Sequence, residues 1–534
     1  MSDRKESVQS AYSEMSSGTD SIPSPYYPPS LPPPPSPLPI IPPPPLFSFK
    51  SQRLRMAILM MLGLYTTVSM RLDLSMAVVC MVNSTAFPST RAVSILHNGS
   101  HIPQTCIRTA DELAEQGYNG TLLWSPQMQS FLFSSTFYGS LATILVSGTI
   151  ADKFGAKLCF SMALITYTVV TFASPFLSEL SFSAFFLSRI AMGVAEGFVL
   201  PSIGSMAGRW FPRNERSTCA AIYTSGNQLA ASLSAIISSS LCTSILGWQA
   251  IFYLFGSIGV LFLVVWIIFS SNNPDNNPFI SVHEALFLRE AIQRKKKPGP
   301  LPWRAMAKSS AIYACLVAQF NYNFTATLLM AFLPTYFRDE LMVPLAHNGV
   351  YTMIPFVTQL ISKNILSIIA DRLKTTNRLT ATQTCMLFQT ISCVGCALTF
   401  ICLAVFPSCQ RPWLAAIFLG FNGVFISAGI PGFFTAILSI APQHSGTMTS
   451  LAMTSASIAN VLAPLWLSVA MQLRTPYTWQ IVFFTNSLLQ IIAAIVFYFY
   501  GKAEVQPWAV PHPEEGEDKA SKISCIGRPT FTLH

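Results

Sequence analysis

The chain has 534 residues, of which 51% are hydrophobic and only 10% are charged, and its mean hydropathy is +0.46. Soluble domains carry charge on about 25% of their residues, so most of this chain is not built to face water. The composition therefore excludes a conventional cytosolic enzyme and, despite the net charge of +9, a nucleic-acid-binding protein. The 12 cysteines lie mostly inside apolar runs, which excludes a small disulfide scaffold and leaves a polytopic membrane protein.

The first 50 residues differ in composition from the rest of the chain. They contain two runs of four prolines, 32–35 and 42–45, which favour an extended polyproline II conformation and cannot form helix. Residues 1–50 are therefore predicted to be a disordered, proline-rich cytosolic tail, and residues 504–534 a second cytosolic tail. The segment 23–45 could recruit a proline-recognition domain of the SH3 or WW type, but a tail without a partner is the plainer interpretation.

The rest of the chain contains twelve apolar segments of about 20 residues, the length of helix that crosses roughly 30 Å of hydrocarbon. None shows the ten-residue alternation of a membrane β-barrel. The sequence thus predicts an all-α membrane protein with twelve transmembrane helices. The predicted spans are 56–82, 127–150, 157–177, 182–207, 218–243, 249–270, 309–337, 348–370, 380–405, 413–440, 446–471 and 480–501.

Basic residues in the loops predict the orientation of these spans, because cytosolic loops carry an excess of lysine and arginine. The loops after the second, fourth, sixth and eighth spans carry most of the basic residues, so these loops and both termini are assigned to the cytosol. The long loop 83–126 then lies on the lumenal side, where the acceptor sequons at Asn83, Asn98 and Asn119 can be glycosylated. Plasma, lysosomal and vesicular membranes are all compatible with this pattern.

A loop motif occurs twice in the chain. Asp152, Lys153 and Gly155 follow the second span, and Asp371 and Arg372 occupy the corresponding place after the eighth. The pattern resembles the signature loop of the major facilitator superfamily. We interpret these five residues as gating and packing residues rather than substrate ligands, because a carboxylate at such a turn can meet a helix N-terminus or a nearby arginine.

This repetition indicates an internal duplication. A tryptophan–glutamine pair also opens both the sixth and the twelfth span. Two six-helix bundles, 51–270 and 309–503, joined by a basic cytosolic linker, 271–308, would explain both repeats. Since six is an even number, the bundles are predicted to be parallel repeats related by an axis along the membrane normal.

Ionisable residues inside the spans are candidates for the functional site, because a charge in the bilayer is costly unless it faces a cavity or a partner. Arg71 lies about 22 Å along the first span at 1.5 Å per residue, which is too deep for easy snorkelling to its cytosolic end. It is predicted to bind an anion, and an arginine that stabilises a partner helix is the alternative interpretation. Asp73, two positions later, lies on a different face of the helix and need not be its partner.

The fourth span carries Arg189 and Glu196, which are seven residues apart and therefore share one face of the helix. We interpret Arg189 as a second cationic substrate ligand and Glu196 as the coupling group, because an anion bound to the arginine would free the carboxylate to take a proton. A buried structural ion pair between helices is the alternative interpretation.

Polar residues of other spans are further candidates. Tyr322 and Asn227 are predicted substrate-binding residues, although hydrogen bonds between helices would explain them equally well. Lys363 is expected to snorkel to the cytosolic edge of the eighth span. The seven histidines show no metal-ligand spacing, and no phosphate-binding or nucleophile motif occurs. The sequence therefore predicts no enzyme, no metal and no cofactor other than a coupling ion.

Several motifs in combination resemble the anion:cation symporter family of the major facilitator superfamily, and most closely its sialin-like members. These motifs occupy residues 70–83, 189–201, 209–217, 247–253 and 333–336. The resemblance covers about 50–510 and implies a secondary carrier of organic or inorganic anions. In such relatives the arginines that match Arg71 and Arg189 contact the substrate carboxylate, and the carboxylate that matches Glu196 takes part in proton coupling.

The chain also departs from the pattern of this family. Phe133 stands where glutamate carriers have a histidine, and Asp73 where relatives commonly have asparagine. Tyr322 corresponds to the span-seven arginine of the glutamate carriers, which is nearer to sialin, and Met192 to a second span-four carboxylate of sialin. These departures argue against vesicular glutamate transport and indicate a different or more apolar anion.

The sequence thus predicts a secondary active transporter of a small organic anion, coupled to protons or sodium, that works by alternating access between its two halves. Sodium-dependent uptake of inorganic phosphate is the alternative within transport. A membrane receptor or scaffold that moves no solute is a further alternative, but such a protein could replace the charges in spans one and four by apolar residues.

Overall fold

A computed structural model of the protein describes residues 45–48, 50–83, 118, 120–212, 215–291, 302–441, 445–473, 475 and 477–509. Asn98, Asn119 and the proline-rich segment as far as Pro44 lie outside the described residues. Within them the chain is helical, apart from turns and one isolated bridge between Val82 and Leu122. The predicted all-α class is confirmed.

Twelve long helices follow one another along the described chain. Helices α1 to α6 are Gln52–Met81, Pro126–Phe154, Ala156–Leu180, Phe182–Trp210, Arg216–Cys242 and Gln249–Phe269. Helices α7 to α12 are Ser310–Asp339, Leu345–Thr375, Ala381–Val405, Pro412–Ile440, Ser445–Gln472 and Thr478–Tyr500. A π-helical turn interrupts α10 at Ile430–Phe434, where Pro431 has no backbone N–H to continue the helix. Each helix matches one predicted span to within a few residues.

Eleven of these helices are long and apolar enough to cross a membrane, judged on the described residues. The exception is α5, which has 27 residues and is rich in serine. It packs against α1 on one side and α8 on the other, and most of its serines are buried. Because neighbouring helices bury most of these hydroxyl groups, α5 tolerates them. The twelve-helix prediction is therefore confirmed.

Short polar caps decide where several helices begin. Ser51 and Ser125 accept hydrogen bonds from backbone N–H groups in the first turns of α1 and α2. Thr380 and Gln383 form a reciprocal capping box at the start of α9. These caps satisfy N–H groups that have no partner within the helix, so the helix ends follow from local sequence.

The pairing of helices repeats between the two halves. In the first half α1 packs against α5, α2 against α4 and α3 against α6. In the second half α7 packs against α11, α8 against α10 and α9 against α12. Across the halves α5 packs against α8, and α2 against α11. Adding six to the helix numbers of each pair in the first half gives the matching pair in the second half. The halves are therefore parallel repeats, as the duplicated motifs predict.

The helices present two opposite faces. We call the side where α1 begins and α2 ends the basic face, and the side where α1 ends and α2 begins the loop face. The basic face carries Lys157, Arg209 and a short linker helix, Val282–Ala291. At the loop face a disulfide joins Cys80, at the end of α1, to Cys242, at the end of α5. The sequence reasoning did not predict this covalent link.

A buried carboxylate binds the linker helix to the first half. Glu284 is fully buried and accepts hydrogen bonds from the backbone N–H groups of Gln52, at 3.0 Å, and Arg53, at 3.2 Å. The Nε of Arg53 donates to the same carboxylate at 2.9 Å, and its Nη1 donates to Glu215 at 2.6 Å. A carboxylate at a helix N-terminus satisfies free N–H groups and interacts favourably with the helix dipole. Glu284 thereby holds the linker helix against the start of α1.

Candidate functional site

A cavity of about 210 Å³ lies between the two halves. Its wall is formed by α1, α2, α4 and α5 of the first half and by α7 and α11 of the second. Among the described residues, its charged lining consists of Arg71 and Glu196. Its uncharged polar lining consists of Ser75, Thr136, Ser140, Asn227, Gln228, Tyr322, Asn323, Thr327, Ser457 and Asn460.

Arg71 and Glu196 form an ion pair in the cavity wall. The Nη1 of Arg71 lies 2.7 Å from Oε1 of Glu196, and the two side chains are 20% and 16% exposed. The other carboxylate oxygen accepts a hydrogen bond from the hydroxyl of Tyr167, a fully buried residue of α3. The guanidinium also lies 5.7 Å from the ring centroid of Phe137. Glu196 is therefore the counter-ion of Arg71, at a place where an anion in the cavity would compete with it.

Arg189 does not line the cavity. Its guanidinium is 1% exposed, and its Nη1 lies 3.5 Å from Oδ1 of Asp73, which is fully buried. The rings of Phe185 and Phe252 cover the guanidinium at 4.9 and 5.5 Å. Its Nη2 donates to Oγ of Ser174 on α3 at 3.2 Å, so the guanidinium lies among α1, α3 and α6 in the core of the first half. In this structure Arg189 forms a buried interhelical ion pair, which was the alternative interpretation, and its contact with a substrate stays a prediction.

Asn227 and Tyr322 both line the cavity, and their contact with a substrate stays a prediction. The hydroxyl of Tyr322 accepts a hydrogen bond from Nε2 of Gln359 on α8 at 3.1 Å. The carbonyl oxygens of the Asn227 and Gln228 side chains are buried and have no hydrogen-bond partner within the described residues. Buried acceptors without partners are costly, so a bound molecule with hydroxyl or N–H groups would satisfy them.

The remaining lining of the cavity is mostly apolar. It includes Leu64, Phe133, Phe137, Met330 and Met453. The one guanidinium is balanced by the one carboxylate, so the described lining carries no net formal charge. The arrangement can bind an organic molecule with one anionic group next to an apolar body.

The sequence reasoning missed several polar residues at or near the cavity, among them three with partners on other helices. Thr327 of α7 donates to the side-chain oxygen of Asn460 on α11 at 2.8 Å. Tyr167 of α3 donates a hydrogen bond to Glu196 on α4. A tyrosine or threonine in an apolar span indicates that its hydroxyl has a hydrogen-bond partner. The sequence does not indicate which helix supplies that partner, so it could not place these residues at the cavity.

The two halves contact each other at the loop face. The hydroxyl of Tyr118 donates to the carbonyl oxygen of Val343 at 2.7 Å. Nearby, the hydroxyl of Ser239 on α5 donates to the carbonyl oxygen of Leu345 at the start of α8, at 2.5 Å. These contacts join opposite halves, so they hold the halves together at the loop face.

The first copy of the loop motif connects α2 to α4 at the basic face. Gly155 has φ of +99°, a backbone conformation that favours glycine, and it turns the chain from α2 into α3. Asp152 accepts hydrogen bonds from Oγ of Ser205 at 2.6 Å and from Nη2 of Arg209 at 3.2 Å, both on α4. Lys153 lies over a neighbouring phenylalanine ring. This copy makes the contacts expected of a packing motif, and its role in gating stays a prediction.

The second copy makes different contacts. Asp371 and Arg372 are exposed at the basic-face end of α8. Asp371 lies 3.7 Å from Lys374 of the same helix. Among the described residues, the second copy has no equivalent of the contact between Asp152 and Arg209. A gating role for Asp371 and Arg372 is therefore a prediction without support from a contact between helices.

Lys363 does not snorkel to the helix end, which corrects the expectation from its position. Its side chain is 5% exposed, and Nζ lies 2.5 Å from Oγ1 of Thr224 on α5. Since α5 and α8 belong to different halves, Lys363 connects the two halves through a neutral hydroxyl. The sequence could not indicate this contact because the two helices are far apart along the chain.

The chain is similar to known transporters over most of its length. Residues 59–464 match the sequence profile of the Major Facilitator Superfamily. The chain is 30% identical over 503 residues to a Caenorhabditis elegans protein named uncharacterized transporter slc-17.3, over 90% of this chain and 94% of that one. It is 28% identical to a Drosophila melanogaster protein named provisionally as an inorganic phosphate cotransporter, over 88% of each chain. It is 27% identical to human sialin, over 86% of this chain and 91% of sialin.

The fold is also similar to that of solved structures. The xylose transporter XylE from E. coli, in a partially occluded inward-open conformation, superposes with a TM-score of 0.60. The superposition covers 85% of this chain and 99% of XylE, with 13% sequence identity. At this identity the likeness concerns the fold alone.

Proposed function

The chain belongs to the Major Facilitator Superfamily and, within it, to the anion:cation symporter family, and on that premise we propose that it carries a monovalent organic anion together with a proton. Transport would proceed by alternating access, with the two halves rocking about the cavity between them. The observation that carries this proposal is the ion pair of Arg71 and Glu196 in the wall of that cavity.

Coupling would follow from competition for Arg71. The guanidinium is occupied by the carboxylate of Glu196, so an anion binds it only by displacing that carboxylate. Protonation of Glu196 removes the competing charge, and therefore a proton on Glu196 and an anion on Arg71 favour each other. Tyr167 can contact either form, because a hydroxyl both donates and accepts hydrogen bonds. Each cycle would then move one proton and one monovalent anion, with no net charge transferred.

The chemistry of the lining favours an organic anion. Arg189 is neutralised by Asp73 outside the cavity, so Arg71 is the cation available to a substrate among the described lining residues. Phe133 and Phe137 provide apolar surface that an organic body would cover. Inorganic phosphate is compact and strongly hydrated, and it would leave this surface uncovered. Sodium-dependent phosphate uptake is the second candidate, because a relative carries that provisional name.

We propose that the basic face is cytosolic, with both termini on that side. Disulfides persist in oxidising compartments, so the bond between Cys80 and Cys242 supports a lumenal or extracellular loop face. Asn98 and Asn119 follow Cys80 in the long loop and are proposed as glycosylation sites, together with Asn83. In a lysosomal or vesicular membrane with this orientation, protons that leave the acidic lumen would drive movement of the anion from the lumen into the cytosol. In the plasma membrane the same direction of movement would be uptake.

The test is uptake into proteoliposomes that contain the purified protein. Radiolabelled sialic acid, urate, glutamate and phosphate are supplied one at a time, with pH and sodium gradients imposed separately. We expect a pH gradient alone to drive accumulation of one of the organic anions. Phosphate accumulation that requires sodium would replace this proposal by the second candidate.

A receptor or scaffold would give a different result in the same material. It would move none of the four anions under either gradient, while an SH3 or WW domain would bind residues 23–45. Flux of any anion that is abolished by Arg71→Ala would exclude this alternative.

A further inference from the structure

Lys363 is a buried cation between the two halves that the proposed coupling does not use. Its Nζ donates to Oγ1 of Thr224 at 2.5 Å, from α8 in the second half to α5 in the first. Only 5% of the surface of Lys363 is exposed. The ammonium group thus lies at the interface whose rearrangement alternating access requires.

This lysine lies one helical turn from the cavity. On α8, Gln359 precedes it by four residues, on the same face, and donates to the hydroxyl of Tyr322 in the cavity wall. On α5, Asn227 lines the cavity and follows Thr224 by three residues. One turn corresponds to about 5.4 Å along each axis. Helix α8 runs toward the basic face, and Lys363 comes after Gln359. Helix α5 runs away from the basic face, and Thr224 comes before Asn227. Lys363 and Thr224 therefore both lie between the cavity and the basic face.

Lys363 has no carboxylate counter-ion within the part of the chain that the structure describes. Among the described residues no carboxylate lies within ion-pair distance of its Nζ, and its hydrogen-bond partner is a neutral hydroxyl. The buried or partly buried arginines Arg53, Arg71, Arg189 and Arg338 each have a carboxylate partner. A buried ammonium without a counter-ion is costly, and intramembrane charges of this kind mark the paths of ions and substrates.

We propose that Lys363 is a second anion-binding residue of the translocation path, which receives the anion on the basic-face side of Arg71. The inference rests on the proposed function in that it requires an anion to pass through the cavity. When the halves separate at the basic face, the ammonium leaves Thr224 and becomes available to the anion that leaves Arg71. Thr224 holds the ammonium in the meantime, since a hydroxyl accepts one of its three N–H donors.

The first experiment measures the charge of the path without any transported substrate. Thr224→Cys is reacted from the basic face with an anionic sulfonate thiol reagent and with a cationic trimethylammonium thiol reagent. In the presence of Lys363 we expect the anionic reagent to react faster. Lys363→Gln should lower the ratio of anionic to cationic rates by about tenfold, because a neighbouring unit charge acts oppositely on the two reagents.

Two controls accompany this measurement. Lys308→Gln removes a charge from an exposed residue before the start of α7 and should leave the rate ratio unchanged. The protein with Thr224 intact corrects for reaction of its own cysteines. A ratio that does not change in Lys363→Gln, or a cysteine at position 224 that neither reagent reaches, would overturn the proposal.

The second experiment measures transport from each side in proteoliposomes of defined orientation. The probe is whichever of sialic acid, urate, glutamate or phosphate the unmodified protein carries. Lys363→Gln should raise the KM at the basic face about tenfold and leave the KM at the loop face within twofold, while Lys363→Arg retains both values. Equal effects on both sides would assign Lys363 a structural role instead. If the unmodified protein carries none of the four anions, the proposed function fails, whereas the rate ratio still decides whether Lys363 attracts anions.

Discussion

Arg71 and Glu196 lie 2.7 Å apart across the wall of the cavity, although 125 residues separate them in the chain. The same two helices contain a second ion pair, between Asp73 and Arg189. The two pairs differ in environment, because the first faces the cavity and the second is enclosed by aromatic rings. Of these two pairs, the first is therefore the one at which the proposed exchange of a counter-ion for a solute would take place.

Removing the cation of the cavity should abolish transport. Arg71→Ala leaves Glu196 without its counter-ion and removes the cation that would bind the anion. We expect kcat/KM to fall about 100-fold or more, because truncating one partner of a partly buried charge pair usually has an effect of this size. Arg71→Lys should recover part of the activity, because an ammonium keeps the charge but not the planar fork. Uptake and surface expression are measured together. Normal uptake by well-expressed Arg71→Ala would remove Arg71 from the site.

Removing the titratable group should separate exchange from accumulation. Glu196→Gln cannot gain or lose a proton, so we expect no accumulation driven by a pH gradient, while exchange of labelled for unlabelled anion continues. The measurement compares the two modes in the same vesicles, with Tyr167→Phe as a control that removes one hydrogen bond and keeps the carboxylate. Undiminished pH-driven accumulation in Glu196→Gln would contradict the coupling role.

The buried pair of Asp73 and Arg189 should matter for stability more than for substrate affinity. Asp73→Asn or Arg189→Gln alone leaves a buried charge unpaired and should lower the free energy of unfolding by about 3–5 kcal/mol. The double variant Asp73→Leu with Arg189→Met removes both charges and should be closer to the unmodified protein. Thermal unfolding in detergent gives the stabilities, and proteoliposome uptake gives KM. A large rise in KM for the stable double variant would return Arg189 to the binding site.

The linker helix should depend on the buried carboxylate at the start of α1. Glu284→Gln weakens the contacts to Arg53 and to two backbone N–H groups, and we expect a loss of about 3 kcal/mol in the free energy of unfolding. Asp275→Asn is the matched control, since Asp275 also pairs with an arginine, Arg289, but on the surface. Limited proteolysis within 292–301 should become faster in Glu284→Gln only. Equal protection in both variants would show that the carboxylate does not hold the linker helix.

The disulfide and the proposed glycans should report the orientation. Cys80 and Cys242 should resist thiol labelling until a reductant is added, and Cys80→Ser should lower the free energy of unfolding by about 2–4 kcal/mol. In cells, Asn98→Gln and Asn119→Gln should each increase mobility on a gel by removing a glycan. Free thiols at Cys80 and Cys242 in protein isolated under oxidising conditions would contradict the lumenal or extracellular assignment of the loop face.

The sequence by itself determined the number of helices, their ends and the duplication. Hydropathy over about 20 residues is a local property, and it located all twelve helices, including the serine-rich α5. Caps such as Ser51 and Ser125 act within one turn, and the repeated Asp152 and Asp371 loops mark equivalent points of the two halves. The cost of charge in a bilayer also identified Arg71 and Glu196 as residues that need a partner or a cavity.

Only the tertiary structure decided which partner each charge has. Arg189 and Glu196 share one face of α4, yet one pairs with Asp73 in the core and the other with Arg71 at the cavity. The packing of α1 against α4 decides which charges meet, and hydropathy carries little information about which face of a helix meets which neighbour when the helix is surrounded by protein. The contact between Lys363 and Thr224 likewise depends on the packing of α8 on α5, which joins residues 139 positions apart. Such pairings are set by the packing of whole helices, and no short segment of the chain contains them.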